Sequence, residues 1–290
     1  MKDIVYLGNH NIMLRNGVEM PQLGLDTSLI PAAKVTETIG NAYKLGYRLF
    51  NTCGNERLIA RALRENGIKR EEVFITTKID ACSLYWGGYR HGNFNIRKFR
   101  PIRSVVRESF KHLETDYVDL FLIHGACPIA KKVWLELSRL YCDRRIRAMG
   151  VSNFLQSHLE ALAEYSDFKP TVNQFEISPL NTQKELIAYC HQRGIVVSYC
   201  GLEEFSKELT ENSLLKEIAS RHNKTVMQIV LRWMQQQNIV MISKAWDKVH
   251  LEENISIFDF ELSDEEMKGI GMLDETTRVS TFREKYDGNE

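Results

Sequence analysis

The sequence predicts an α/β fold, a single (β/α)8 TIM barrel with an N-terminal β-hairpin closing its bottom. Three observations predict it. Eight short apolar runs, each ending in a polar residue, alternate with stretches whose apolar residues recur at helical spacing. Ahead of them, Asn16-Gly17 sits between two strand-like runs, the strongest short signal for a hairpin turn. No G-x-G-x-x-G follows the first strand, which argues against a doubly wound dinucleotide-binding domain. The 290 residues suit one barrel, and no Pro/Ser-rich linker or charge block divides them. Residues 1–290 therefore form one domain.

The elements follow in order. The hairpin covers Asn11–Leu25, its turn taking positive φ at both Asn16 and Gly17. The first barrel strand, Gln22–Leu25, ends in Asp26-Thr27. A helix at Val35–Leu45 precedes the strand ending at Asn51, and a second helix spans Glu56–Glu65. The strand Val73–Thr77 ends at Lys78. Residues 79–100 then form a long loop over the rim, rich in glycine and in Tyr85, Trp86, Tyr89 and Phe94. Loops this long in a compact domain are usually functional or disordered, and the aromatics argue against disorder. Helix Ile102–Leu113 leads to the strand Val118–Ile123, ending at His124. Helix Ile129–Tyr141, strand Ala148–Val151 with Ser152-Asn153 after it, and helix Gln156–Tyr165 follow. Strand Thr171–Asn173 ends at Gln174, and helix Gln183–Gln192 stops at Gly194. Strand Val196–Ser198 ends at Tyr199. Helices Ser213–Arg221 and Val226–Gln236 precede the last strand, Val240–Ile242, which ends at Lys244. The final helix, Asp264–Leu273, opens on a capping box of Ser263 and Glu266.

Composition narrows the function classes. Hydrophobic residues make up 43% and charged residues 26%, as in ordinary globular chains. With 38 basic and 38 acidic side chains, the net charge is zero, which offers no support for nucleic-acid or anionic-membrane partners. The N-terminus has no long apolar run, so a cytoplasmic location is expected. The six cysteines show neither CxxC nor a disulfide framework, as expected of reduced thiols. His124 and Cys127 have metal-ligand spacing, but no second pair accompanies them, and no metal is expected. The absence of G-x-S-x-G argues against a serine hydrolase.

The polar strand ends supply a candidate site, because barrels of this kind put their chemistry at the C-terminal ends of the strands. These residues are Asp26/Thr27, Asn51/Thr52, Lys78, His124, Ser152/Asn153, Gln174/Glu176, Tyr199 and Lys244. A single one is readily a turn former or helix cap. Lys78 and His124 are the sharpest, since each follows a strongly apolar strand where a charge needs a partner or a function.

These residues also carry a resemblance. VEMPQLGLDT, GYRLFNT with GNE, VFITTK, LETDYVDLFLIH, IRAMGVSNF, VNQFEISP, VVSYC, ISKA and ENISIFDFELSDEEM occur in the order found in the aldo-keto reductase superfamily. The resemblance runs from Gly17 to about Arg278. It implies an NADP(H) cofactor lying across the rim and a hydride delivered to a carbonyl carbon. In that family a tyrosine donates the proton, a lysine and an aspartate tune the tyrosine, and a histidine orients the carbonyl. Lys78 and His124 match the lysine and histidine. Asn51 stands at the aspartate, and the tyrosine, which precedes Gly-Asn-Glu in the family, is missing from a shortened Thr52-Cys53 turn. The resemblance assigns Thr27 to cofactor binding, Ser152, Asn153 and Gln174 to the nicotinamide carboxamide, and Tyr199 to the nicotinamide ring. It assigns Lys244 and His250 to the 2′-phosphate, and Glu253 and Asn254 to the adenine. His250 replaces an arginine, Ala245 a small hydroxyl residue, and Gly125 a pocket tryptophan.

Three readings remain open at this stage. The first is an NADP(H)-dependent reductase of a small carbonyl or imine with a non-standard proton donor: Tyr85, Tyr89 or His91 from the long loop, with Asp26 replacing the lost carboxylate. The second is a lyase, dehydratase or isomerase on the same pocket. The third is a catalytically inactive NADPH-binding regulator. The partner is a small molecule in the enzyme readings, and the oligomeric state, monomer or weak dimer, stays open.

Overall fold

The computed structural model describes residues 10–81, 101–199 and 206–274, together with the backbone of short strands at 6–7, 89–90 and 93–94. Eight parallel strands close into a barrel: β4 (Leu23–Asp26), β5 (Leu49–Asn51), β6 (Phe74–Ile79), β9 (Val118–His124), β10 (Ile146–Ser152), β11 (Val172–Phe175), β12 (Val196–Tyr199) and β13 (Ile239–Ser243), the last pairing back onto the first. The predicted (β/α)8 architecture is the observed one.

The bottom is closed by an antiparallel sheet of β1 (Tyr6–Leu7), β2 (Asn11–Met13) and β3 (Glu19–Pro21), one strand more than the expected hairpin. Ile12, Leu14 and Met20 from this sheet and its turn enter the barrel and pack with Leu49, Phe74, Leu120 and Val240. Its turn differs from the two-residue form. Gly17 N donates to the Leu14 carbonyl at 2.8 Å and Leu14 N to that of Val18 at 2.9 Å. Only Gly17 has positive φ, +84°. The loop is thus one residue longer, with glycine alone in the left-handed position. Asn16 instead donates its amide to the Arg147 carbonyl at 2.8 Å, tying the turn to β10.

Two apolar layers follow from strand alternation. One residue parity fills the barrel, and the other packs outward against helices in a cluster that includes Phe50, Ile75, Phe121, Val151, Val197 and Met241. Gly150 has the inward parity and must be small, since a Cβ there would lie 2.6 Å from the Val172 carbonyl oxygen. The Ser263–Glu266 capping box forms as predicted, Ser263 N donating to Glu266 Oε2 at 2.9 Å and Glu266 N to Ser263 Oγ at 3.2 Å. Helices Ser206–Glu211 and Lys248–Ile255 were not legible as elements. Within 79–100, a two-stranded ribbon, β7 (Tyr89–Arg90) with β8 (Asn93–Phe94), is described in its backbone. The expected lid residues Tyr85, Trp86 and His91 lie outside the described residues, as does the tail beyond residue 274. Among the described residues no helix is long and apolar enough to cross a membrane.

One ion cluster staples the lower barrel. Asp119 on β9 is fully buried and accepts from Arg70 Nη2 at 2.6 Å, Arg147 Nη1 at 2.6 Å and the Ile75 amide at 2.9 Å. Removing the carboxylate leaves two guanidinium groups and an amide without their acceptor. Asp119→Ala is therefore expected to destabilise the fold by about 3 kcal/mol or more, measured by urea denaturation. A loss below about 1 kcal/mol would show that the cluster contributes little net stability.

Candidate active site

The inward parity that fills the barrel with aliphatic side chains continues upward into polar ones. Leu49 is followed by Asn51, Phe74 by Thr76 and Lys78, Leu122 by His124, Gly150 by Ser152, Val172 by Gln174 and Val196 by Ser198. Gly24 is followed in the same way by Asp26. Registers place Asp26 opposite Asn51 and Asn51 opposite Thr76. Across the barrel, His124, Ser152, Gln174 and Ser198 are opposite one another in sequence. Lys78 and His124 lie inside their strands rather than after them, because β6 and β9 pair through Ile79 and Ile123. The candidate residues thus form one layer at the upper end of a closed apolar tube.

Hydrogen bonds fix the side of this layer around Asn51. Asn51 Nδ2 donates to Asp26 Oδ1 at 3.4 Å, and the Ser28 amide donates to the same oxygen at 3.0 Å. Asn51 is 1% exposed, and its Oδ1 has no hydrogen-bond partner among the described residues. Thr27 is buried and donates its hydroxyl to the Asn51 carbonyl at 2.9 Å. Asn55 Nδ2 donates to the Thr27 carbonyl at 2.7 Å, and Asn55 Oδ1 accepts the Cys53 amide at 3.3 Å. The short Cys53-Gly54 turn is therefore bolted to β4. Thr27 serves as this bolt, besides any contact with a ligand.

Beneath the turn lies a carboxylate whose role the sequence did not reveal. Glu56 is buried, and its Oε1 accepts from Thr77 Oγ1 at 2.8 Å, Gly54 N at 3.3 Å and Thr52 Oγ1 at 3.4 Å. An acidic residue in the first helical turn usually reads as a solvated partner of the helix dipole, so burial was its only distinguishing mark. Asp26 and Glu56 bring two carboxylates to the region of Lys78, where Asn51 brings none.

The electrostatics separate the two residues the sequence singled out. Burial, followed by the positive charge of Lys78, lowers the His124 pKa to about 4, against a smaller opposing pull from Asp80. His124 is thus a neutral imidazole at neutral pH. Cys53 is exposed as a residue, yet desolvation of its thiol raises the thiol pKa. Lys78 acts in the opposite direction, and Glu56, Asp26 and Asp80 reinforce the rise.

On the nicotinamide side, Ser152 is fully buried, and Asn153 takes a left-handed conformation, φ +57°. Asn153 N donates to the Gln174 carbonyl at 2.8 Å, and Asn153 Nδ2 to Ser152 Oγ at 3.4 Å. Gln174 donates through Nε2 to Ser198 Oγ at 3.2 Å, while its buried Oε1 has no partner among the described residues. A carboxamide presents two N–H donors and one carbonyl acceptor, so this orphaned oxygen beside hydroxyl and amide groups fits one. Tyr199 has the outward parity, belongs to the cluster between barrel and helices, and is 1% exposed.

The phosphate and adenine candidates gather on the last crossover. Lys244 follows β13, and helix Lys248–Ile255 carries His250, Glu253 and Asn254. Asp247 caps this helix, accepting the His250 amide at 3.0 Å, and its other oxygen meets His250 Nδ1 at 2.6 Å. That hydrogen bond raises the His250 pKa above 6.5 despite partial desolvation. Glu253 is held by Thr225 Oγ1, and Asn254 is buried. A helix N-terminus with a lysine and a histidine whose pKa is raised suits a phosphate dianion, although Asp247 offsets part of the charge. The residues present thus fit a phosphorylated nicotinamide dinucleotide at both ends. Among the described residues no group of three or more His, Cys, Asp and Glu could hold a metal ion.

Comparison with known proteins identifies the class. The model of the Aldo/keto reductase family matches residues 20–202 and 198–275, and the chain belongs to that family. It is 39% identical over 277 residues to the glyoxal reductase of Bacillus subtilis (strain 168), covering 92% of this chain and 94% of that protein. Among solved structures, an aldo-keto reductase from a Medee basin deep-sea metagenome library superposes with a TM-score of 0.83 at 32% identity, covering 93% of this chain and 97% of that one. A Bombyx mori aldo-keto reductase in complex with NADP gives a TM-score of 0.81 at 26% identity, covering 95% and 97%. The chain is accordingly an oxidoreductase of this family.

The charge pairing at the rim can be read directly. Lys78→Met removes the cation that helps depress His124, so the His124 titration midpoint is expected to rise, seen by NMR of ring-labelled histidine. An unchanged midpoint would mean burial alone sets it.

Proposed function

We propose that this protein is an NADP(H)-dependent reductase of small reactive carbonyl compounds, of the glyoxal type, that uses a proton donor other than the family's tyrosine. An imine of similar size is the accompanying substrate class. The observation that carries the reading is the single inward layer in which Lys78 and the neutral His124 cap the apolar barrel. Its support is the orphaned carbonyl of Gln174 on one side and the Lys244–His250 cluster on the last crossover.

The bound dihydronicotinamide supplies a hydride to the substrate carbon. The protein's residues prepare the acceptor. Ser152, Asn153 and Gln174 hold the carboxamide, which fixes the face of the ring presented to the bowl. His124, kept neutral, donates one N–H to the substrate oxygen without adding a charge of its own. Lys78 places a cation where negative charge develops on that oxygen, and the apolar tube beneath it keeps this field little screened. Asp26 and Glu56 balance Lys78 in the absence of an aspartate at Asn51. Lys244 and protonated His250 hold the 2′-phosphate, with Glu253 and Asn254 at the adenine.

Because Asp247 raises the His250 pKa, the phosphate attraction is present at lower pH and fades as pH rises through that value. Fluorescence titration with NADPH and NADH is expected to show a preference for NADPH that declines from about pH 6 to about pH 9. His250→Arg is expected to abolish this decline and raise the preference at alkaline pH roughly tenfold. Turnover of glyoxal should then consume NADPH one for one. Equal binding of the two cofactors at every pH would sink the phosphate assignment, and turnover without change in cofactor absorbance would indicate a non-redox enzyme.

A further inference from the structure

A carbonyl reduction needs a proton as well as a hydride, and the described rim restricts its source. Asp26 and Glu56 accept hydrogen bonds through their carboxyl oxygens, and His124 is neutral with one N–H already committed to orienting the oxygen in the proposed mechanism. The side chains of the loop candidates Tyr85, Tyr89 and His91 lie outside the described residues. Among the described residues the remaining proton carriers of this layer are Lys78 and the thiol of Cys53. Register brings these two together. Asn51 pairs with Thr76 on β6, and the Thr52 amide donates to the Thr76 carbonyl at 2.8 Å. Continued past the end of β5, this register would set Cys53 level with Lys78, and the Lys78 charge does act on the Cys53 thiol. Beside them, Asn51 Oδ1, on a side chain of inward parity and 1% exposure, lacks a partner among the described residues and offers an acceptor toward a bound molecule. Cys53 also directly precedes Gly54-Asn55-Glu56, where the chain is shortened relative to the family pattern.

We infer that Cys53 is the proton donor of this reductase, with Lys78 as the cation that receives the resulting thiolate. The inference rests on the function proposed above. As the hydride from NADPH bonds to the carbonyl carbon, the C=O π pair moves onto oxygen. The S–H bond of Cys53 breaks and an O–H bond forms. The products are an alcohol, NADP+ and a thiolate beside the Lys78 ammonium, and a proton from solvent restores the thiol. The charges around it suit this cycle. Burial and the carboxylates Glu56, Asp26 and Asp80 favour the thiol at rest, and Lys78 acts against them once the proton has left. The turn's anchoring through Asn55 and Thr27 holds the sulfur's backbone in place.

The test uses full-length protein with NADPH and glyoxal. Cys53→Ala and Cys53→Ser should lower kcat about a hundredfold or more while leaving the Kd for NADPH within about twofold. Both should also lose the high-pH limb of the kcat profile. Independently of activity, alkylation of Cys53 by iodoacetamide, followed by peptide mass spectrometry, should show a thiol pKa that rises in Lys78→Met. If Cys53→Ala keeps kcat within about twofold and retains the pH limb, the inference is overturned and the reductase reading stands with a different donor. If Lys78→Met leaves the alkylation midpoint unmoved, the thiol–lysine pairing is overturned. If the wild-type protein binds NADPH but reduces no carbonyl or imine, both the reductase reading and this inference fall.

Discussion

Closure of the barrel is the constraint from which the site follows. Eight strands joined edge to edge leave no freedom in which face of each strand points inward. Once Leu49, Phe74, Leu122 and Val172 fill the tube, Asn51, Lys78, His124 and Gln174 are obliged to cap it. The hairpin side chains Ile12, Leu14 and Met20 stop the other end, so the polar layer opens in one direction only. The same geometry sets the chemistry of His124, since a ring buried beside Lys78 on the neighbouring strand cannot readily carry a second positive charge.

The rim then balances charge without the aspartate its family pattern calls for. Asn51 is neutral and spends its amide nitrogen on Asp26. Glu56, reached from Thr77, Thr52 and the Gly54 amide, supplies a second carboxylate below the turn. Moving negative charge from the strand end to the flanks shifts what the cation faces. Instead of one carboxylate at the strand end, Asp26, Glu56 and Asp80 act together with Lys78 on the Cys53 thiol. A shorter turn that cannot carry a phenol inward can still carry a smaller acid at the rim.

Much of this was legible in sequence, because strand periodicity and strand-end polarity are local signals. Lys78, His124, Ser152 and Gln174 were found that way, and the structure gathers them in one layer. Properties set by tertiary contact were not. Glu56 looked like a routine helix-start acid, since nothing local tells a solvated first-turn glutamate from one enclosed by Thr77 and Thr52. Asp247 went unremarked until its contact with His250 appeared, and the helix carrying both was hidden by its shortness and weak amphipathicity. The turn at Asn16-Gly17 was misjudged because Asn16 answers to a carbonyl on β10, 131 positions away, rather than to its own hairpin. Tyr199 has a strand parity that places it in the outer layer, which its position in the motif did not reveal.

Two histidines of ordinary intrinsic acidity take opposite assignments here, and their difference defines a working range. His124 is pushed down to about 4 by burial and Lys78, so it is neutral over nearly all of the mild acid range. His250, largely exposed and bonded to Asp247, is pushed above 6.5 and stays charged where His124 is not. In the function proposed here, the lowered His124 pKa and the raised His250 pKa let a neutral hydrogen-bond donor at the substrate coexist with a cation at the phosphate. Below that range His124 gains a charge that would compete with Lys78 for the substrate oxygen. Above it, His250 loses the charge that the proposed phosphate contact needs. An arginine at position 250 would hold phosphate at any pH, so the histidine makes cofactor capture the first function to weaken as the solution turns alkaline.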